Sequence, residues 1–168
     1  MPQAKVIVLF STKGGVGKTL LSVNLAVSLG KESKKKVCLV DFDLQAPMDM
    51  ARLLDLQPGK SLADIPSEKE IDPGKINSLI AAHSSGIDFL QAALRPNQSP
   101  YIEKKIISAA LSSLEASYDY VVIDAGRAFS DNFISVLGFA NLILMVVTPD
   151  ILSIYQTKWA LDVLQSLH

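Results

Sequence analysis

A glycine-rich loop near the start of the chain carries the strongest chemical signal in the sequence. It consists of Lys13, Gly14, Gly15, Val16, Gly17, Lys18 and Thr19. Glycines allow successive backbone N–H groups to face one point, and the N-terminus of a following helix adds partial positive charge, so the loop suits phosphate. Lys18 adds a full positive charge near the β- and γ-phosphates, and the Thr19 hydroxyl can ligate Mg²⁺. The loop therefore predicts a site for ATP or ADP with Mg²⁺, although Thr12 stands where the general motif has its first glycine.

Three aspartates are candidate ligands of the same Mg²⁺ or of its bound water. Asp41 and Asp43 follow the apolar run at 37–40, and Asp124 ends the apolar run at 120–123. Ligands of open α/β sheets bind beyond the carboxyl ends of the strands, where these carboxylates are expected. Asp124 has the position of the single carboxylate that a Walker B strand delivers to the metal. As an alternative, Asp41 or Asp43 could cap a short helix expected over 47–54.

The surrounding pattern predicts the strands and helices that position these side chains. Almost unbroken apolar runs are typical of strands buried on both faces of a parallel sheet. They lie at 5–10, 37–40, 120–123 and 142–147, with a weaker run at 87–90. Apolar residues at helical spacing predict a helix over 18–29, which Gly30 would end, and another over 106–114. We expect turns and short helices between residues 56 and 75.

The alternation of strands and helices predicts the fold class. A strand–helix–strand unit normally forms a right-handed crossover, so the strands at 5–10 and 37–40 are expected to be neighbours. We predict one α/β domain over residues 1–168, in which helices flank a mostly parallel sheet on both faces. The strand and helix on either side of the loop also argue against the alternative that this segment is an ordinary glycine-rich turn whose two lysines have no role in binding phosphate.

The composition excludes several classes of protein. Of 168 residues, 49% are hydrophobic and 20% are charged, which predicts a soluble globular chain rather than a disordered one. A net charge of −1 gives no general attraction to nucleic acid, which is therefore not an expected partner. The single cysteine, Cys38, and the lack of a signal-peptide pattern predict a cytoplasmic location. No apolar run approaches the roughly 20 residues that a membrane-spanning helix needs.

With Lys13 at its start, the loop resembles the deviant Walker A motif of the MinD/ParA family of P-loop ATPases. The resemblance implies a homodimer that sandwiches two ATP molecules, in which Lys13 reaches the ATP of the partner while Lys18 holds phosphate in its own subunit. A solvated loop lysine is the alternative for Lys13. The segment after the run at 37–40 resembles the switch I segment of the family, which implies that Asp43 positions the metal-bound or attacking water, with Asp41 in support.

The residues after Asp124 depart from the family pattern, which usually has proline there. This chain has Ala125, Gly126 and Arg127. Gly126 could approach the γ-phosphate through its N–H group. Arg127 could sense the same phosphate, although a side chain that only reaches solvent is the favoured interpretation. Because this departure leaves open whether the chain hydrolyses ATP, a non-hydrolysing nucleotide-binding scaffold is an alternative to a slow ATPase.

Several strings outside the loop resemble the CpaE/TadZ group of pilus-assembly and type II/IV secretion ATPases. They include Leu44-Gln45, Ser61-Leu62-Ala63-Asp64 and Ser85-Gly86-Ile87-Asp88-Phe89-Leu90. The resemblance implies a localisation or assembly factor that docks on pilus or secretion proteins, at the cell pole or peripheral to the inner membrane through those partners. It also implies that later strands and the adenine-binding segment would follow residue 168.

Other relatives of the family offer competing functions. A DNA-partitioning role of the ParA type stays open, but the sequence has no evident basic patch for it. A reductase with an iron–sulfur cluster would need more than one cysteine, and a related tyrosine kinase would need a tyrosine cluster in its tail. Neither pattern occurs in the sequence.

Overall fold

The computed structural model describes residues 3–66 and 71–166, and within them six strands form one sheet. The strands are β1 (Lys5–Phe10), β2 (Val37–Phe42), β3 (Ala81–Ala82), β4 (Asp88–Gln91), β5 (Tyr120–Ala125) and β6 (Leu142–Met145). Their order is β3-β4-β2-β5-β1-β6, and every pair is parallel except β3 with β4. The predicted α/β class with a mostly parallel sheet is confirmed.

Helices cover both faces of this sheet, as predicted. They are α1 (Lys18–Ser33), α2 (Asp49–Leu53), α3 (Pro73–Asn77), α4 (Lys104–Ser117), α5 (Asp131–Leu137) and α6 (Ile151–Ser166). Alternate residues of β1 belong to two separate hydrophobic clusters, Val6 and Val8 to one and Ile7 and Leu9 to the other. Since successive side chains of a strand point to opposite faces, the two clusters are the two layers between sheet and helices.

The predicted strands and helices are present with shifted ends. β1 has its predicted bounds, whereas β2 and β5 each extend two residues further and β6 ends at Met145. Residues 56–75 contain a 3₁₀ turn at Leu62–Asp64 and the start of α3, although residues 67–70 lie outside the described part. The sequence analysis did not predict β3 or α5, which are only two and seven residues long. Such short elements leave little periodicity in a sequence.

The expectation that β1 and β2 are neighbours is wrong, because β5 lies between them. Ile123 of β5 is in register with Val8 of β1 on one side and with Val40 of β2 on the other. β5 suits this central position because nearly all of its residues are buried. The insertion sets Asp124 directly beside both strands that lead into the predicted site.

The predicted end of α1 at Gly30 is also wrong. The helix continues to Ser33 and ends where Lys34 adopts a left-handed conformation, with φ of 55°. A Cβ atom on Gly30 would stand 3.1 Å from Cγ2 of Ile87 and 3.9 Å from Cγ2 of Val37. The glycine therefore permits close packing of the helix on the sheet instead of stopping it.

In the described residues, no helix is both long and apolar enough to span a bilayer. This finding matches the short apolar runs of the sequence.

The core predicts a measurable cost for truncating α4. Leu114 is completely buried, so Leu114→Ala removes buried methyl groups and leaves a cavity, at a cost of about 2–5 kcal/mol in the free energy of unfolding. The matched control is Leu152→Ala, because Leu152 is 65% exposed and its truncation should change stability by under about 1 kcal/mol. Urea unfolding followed by circular dichroism measures both, and equal losses in the two variants would contradict this packing.

Candidate functional site

A cavity of about 680 Å³ opens where β1 runs into α1. All seven residues of the predicted phosphate loop, from Lys13 to Thr19, line it. Asp43 and Arg127 close the cavity from the carboxyl ends of β2 and β5, and α2 contributes Asp49 and Arg52. The structure thus brings the glycine loop, one predicted aspartate and an arginine around a single space.

The glycines give the loop its shape. Gly15 and Gly17 have φ of 76° and 87°, in the left-handed region that residues with a Cβ atom rarely adopt. Gly17 immediately precedes α1, and no side chain caps the first turn in the described structure. The first backbone N–H groups of a helix need a partner from outside it. An anionic group in the cavity is suited to supply that partner.

Lys18 carries a buried positive charge that two acidic side chains of the site contact. Its side chain is only 6% exposed, and Nζ forms ion pairs with Asp124 and, at 3.5 Å, with Oδ2 of Asp43. The three residues come from α1, β5 and the turn after β2, so the sheet order is what joins them. Two of the three predicted aspartates therefore contact the predicted phosphate-binding lysine.

Asp124 keeps one oxygen without a partner. The residue is fully buried, and Oδ2 has no hydrogen bond within the described residues. Burial raises the pKa of the Asp124 carboxyl, while Lys18 and Thr19 act in the opposite direction. A buried polar atom without a partner is uncommon, and a cation or its bound water would satisfy this one. The donor set of Asp124 and Thr19 fits a magnesium ion that keeps several waters.

The described residues contain no cluster of three histidine, cysteine or acidic side chains arranged to hold a metal by themselves. Magnesium at this site would accordingly need phosphate oxygens and water as further ligands, which is its usual environment beside nucleotides. The predicted metal roles of Thr19, Asp41, Asp43 and Asp124 stay predictions.

Asp41 lies behind the cavity wall rather than on it. Its Oδ2 accepts a hydrogen bond of 3.0 Å from Nε2 of Gln91, and its Oδ1 accepts one of 3.2 Å from the backbone N–H of Asp43. Burial raises the pKa of Asp41 to about 7. Asp41 thus fixes the turn that carries Asp43. Gln91, which the sequence analysis missed, is a polar residue at the carboxyl end of β4, and that position was the available signal.

Neither aspartate caps the helix that follows. α2 begins at Asp49, and Met48 precedes it with φ of 75° and no capping side chain. The side chain of Asp43 accepts instead from the backbone N–H of Gln45, at 3.1 Å. The capping interpretation of Asp41 and Asp43 is wrong, because the turn at 43–46 separates them from the helix.

Lys13 is held by an acidic residue that the sequence analysis did not select. Its Nζ lies 2.9 Å from Oδ2 of Asp150, in the segment between β6 and α6. Hydrogen bonds from Thr148, Lys13 and the Ser153 backbone hold the pKa of Asp150 below its ordinary value. The structure thus gives Lys13 an acidic partner beside the loop, while the alternative of a solvated loop lysine and the reach of Lys13 across a dimer both stay predictions.

Gly126 and Arg127 occupy different places. Gly126 lines a neighbouring cavity of about 450 Å³ and not the cavity of the phosphate loop, so its approach to a phosphate stays a prediction. Arg127 lines both cavities, and its Nη1 lies 2.5 Å from the position of a Cβ atom on Gly14. The guanidinium lies against the loop while the residue is exposed, so both interpretations of Arg127, a phosphate sensor and a side chain that only reaches solvent, stay predictions.

Comparison with known proteins agrees with this geometry. A family model described as an AAA domain matches residues 4–167. The chain belongs to this family. It is 31% identical to the septum site-determining protein MinD of Helicobacter pylori over 152 residues, which is 90% of this chain and 55% of that protein. The predicted membership of the MinD/ParA family, whose members are P-loop ATPases, is confirmed, while the closeness to the CpaE/TadZ group stays a prediction.

Solved structures share the fold. A ParA family ATPase from Chlorobium tepidum superposes with a TM-score of 0.85 at 23% identity, over 96% of this chain and 68% of that one. MinD from Pyrococcus horikoshii, solved with Mg-ADP, gives a TM-score of 0.80 at 24% identity, over 98% of this chain and 66% of that one. The chain spans a little over half of the length of the curated MinD that it matches, 55%.

The environment of Asp41 predicts a pH-dependent stability. Its pKa is about 7 in the folded chain against an ordinary 3.8, so between about pH 4 and pH 7 the folded state retains a proton that the unfolded state releases. The free energy of unfolding should therefore fall as the pH rises through this window, by roughly 1.4 kcal/mol per unit of pKa shift. Asp41→Asn should remove most of that dependence.

Urea unfolding at several values between pH 4 and pH 8 tests this expectation. Asp55→Asn, the same substitution at an exposed aspartate with φ of 52°, is the matched control and should keep the slope of the wild type. If the free energy of unfolding of Asp41→Asn falls with pH as steeply as that of the wild type, Asp41 is not the group that causes the pH dependence.

Proposed function

We propose that this chain binds ATP and ADP with Mg²⁺ in the cavity at the phosphate loop and hydrolyses ATP slowly. The observation that carries the proposal is the buried Lys18–Asp124 pair at the start of α1, where one Asp124 oxygen has no partner among the described residues. A buried charge pair with an open ligand position is costly unless a bound group uses it. The cleft has the loop, the cation and the carboxylates that phosphoryl transfer requires.

The relatives support the same chemistry. The Pyrococcus horikoshii MinD that shares this fold was solved with Mg-ADP, and the Chlorobium tepidum protein is named an ATPase of the ParA family. Those descriptions apply to those proteins. They support the proposal because this chain shares the fold of both proteins and has a cavity at its phosphate loop.

Each residue has a distinct task in the proposed reaction. Lys18, now paired with carboxylates, would turn to the phosphate oxygens and leave Asp124 to hold a metal-bound water. Thr19 would ligate Mg²⁺, which neutralises phosphate charge when bound. Asp43 stands on the cavity wall with a side chain 13% exposed beside Lys18, so it is a carboxylate that could position an attacking water.

We further propose that ATP drives dimerisation through Lys13. The side chain of this lysine is 42% exposed at the cavity, and its one ion pair with a described residue has an acidic partner that is 39% exposed, so it can be released at little cost. A dimeric switch of this kind could place pilus or secretion proteins at the cell pole or at the inner membrane. That role rests on the resemblance to the CpaE/TadZ group alone.

A non-hydrolysing nucleotide-binding scaffold is the second candidate. The observation that favours it is that Gly126, which stands where the family usually has proline, does not line the cavity of the phosphate loop. Nucleotide binding without phosphate release would distinguish the scaffold from the ATPase.

Lys18→Ala tests the nucleotide site. Loss of charge-assisted hydrogen bonds to phosphate should weaken Mg-ATP binding about 10- to 100-fold in calorimetry, and any phosphate release by the wild type should fall with it. Lys104→Ala removes an exposed lysine that lines neither cavity and should bind like the wild type. The proposal is abandoned if Lys18→Ala binds Mg-ATP as tightly as the wild type does.

Lys13→Ala tests the dimer. Light scattering should show a doubling of mass when ATP is added to the wild type and no such change in Lys13→Ala, because the variant lacks the cation that reaches the partner's ATP. Lys35→Ala breaks a comparable exposed ion pair, with Asp119 at 3.3 Å, and should dimerise normally. If Lys13→Ala dimerises at the same ATP concentrations as the wild type, the proposed role of Lys13 is excluded.

A further inference from the structure

Arg127 is placed against the phosphate loop by the loop that follows β5. Nη1, Cζ and Cδ of Arg127 lie 2.5, 3.4 and 3.7 Å from the position that a Cβ atom on Gly14 would take. The guanidinium therefore lies directly against the backbone of Gly14, in a space that exists only because Gly14 has no side chain. It borders the cavity in which the nucleotide is proposed to bind.

The charge of Arg127 is not balanced in this structure. Among the described residues, the cavity is lined by four cationic side chains, of which three have acidic partners. The pairs are Lys13 with Asp150 at 2.9 Å, Lys18 with Asp43 at 3.5 Å and Arg52 with Asp49 at 2.8 Å. Arg127 has no hydrogen bond or ion pair with any described residue. It is thus the cation of the cavity that can take an anion without breaking an existing pair.

The backbone of Arg127 is anchored on both sides. On one side, β5 ends in Ala125, which is fully buried. On the other, the ring of Phe129 packs edge-on against Phe10, with centroids 5.2 Å apart, and against Trp159, at 5.8 Å. A side chain that extends from such a fixed segment loses less conformational freedom when it binds a ligand than one on a mobile loop.

The position along the loop indicates which phosphate Arg127 would contact. Inner phosphates are held where backbone N–H groups converge on the helix N-terminus, here at Gly15 to Lys18. Gly14 is upstream of that point, next to Lys13, so an extended phosphate chain would reach it with the outermost group. A planar guanidinium can donate two parallel hydrogen bonds to that group.

We infer that Arg127 binds the terminal phosphate of ATP within the same subunit and makes the site prefer ATP to ADP. The inference deepens the proposed function and rests on it, because it assigns a contact to the nucleotide that the cavity is proposed to bind. Arg127 is a specificity-determining residue in this scheme, since it contacts a group that ADP lacks.

Calorimetry on the full 168-residue chain tests the inference. The titrants are Mg-ADP and the Mg²⁺ complex of a non-hydrolysable ATP analogue, which keeps the terminal phosphate intact during the measurement. Arg127→Ala should weaken binding of the analogue about 10-fold and change Mg-ADP binding by less than about 2-fold. Arg127→Lys keeps the charge but not the paired donors, and it should lie between the wild type and Arg127→Ala.

Two comparisons keep the outcomes distinct. Lys104→Ala, which removes one positive charge away from both cavities, should bind both titrants like the wild type. If the wild type binds neither titrant, the proposed function fails and the inference fails with it. If the wild type binds both titrants, equal weakening of the two in Arg127→Ala, or no weakening, overturns the inference alone. Circular dichroism of Arg127→Ala and Arg127→Lys verifies that the variants are folded, as substitution of an exposed side chain should allow.

Discussion

The buried pairing of Lys18 with Asp124 and Asp43 is the interaction on which the rest of the site depends. A lysine that is only 6% exposed needs acidic partners, because an isolated buried ammonium is far less stable than a hydrated one. Those partners come from two different strands, so the pairing requires β2 and β5 to end side by side. The same pairing leaves one Asp124 oxygen without a hydrogen bond among the described residues. It also keeps the Lys18 side chain beside the phosphate loop. Lys18 is therefore paired with carboxylates until an anion competes for it.

The order of the sheet satisfies this requirement. β5 lies between β1 and β2, and its register sets Asp124 opposite Asp41 on one side and Leu9 on the other. Asp41 is buried there and keeps its place through Gln91 and the Asp43 backbone. Asp41 thus supports the turn that carries Asp43, and Asp43 faces the cavity.

The cations that line the cavity differ in whether they are paired with carboxylates. Lys13 and Lys18 are both held by carboxylates, so each must exchange a partner before it can contact phosphate. Arg127 makes no such pair with the described residues, and Gly14 provides the space in which its guanidinium lies. A bound nucleotide can therefore contact Arg127 without breaking an ion pair among the described residues, whereas contact with either lysine requires its carboxylate partner to be displaced.

The sequence by itself determined five of the six described strands, the glycine loop and the α/β class, because apolar runs and glycine spacing are local patterns that direct burial and backbone conformation. It also selected Lys18, Asp43 and Asp124, which the structure brings together. It did not determine that Gly30 lies inside a helix, where it packs close to Ile87, a residue distant along the chain. Nor did it select Asp150 for Lys13 or place Arg127 on Gly14, since these partners are far apart along the chain. Only the tertiary structure decided them, because contacts between distant segments leave no periodic signal in the sequence.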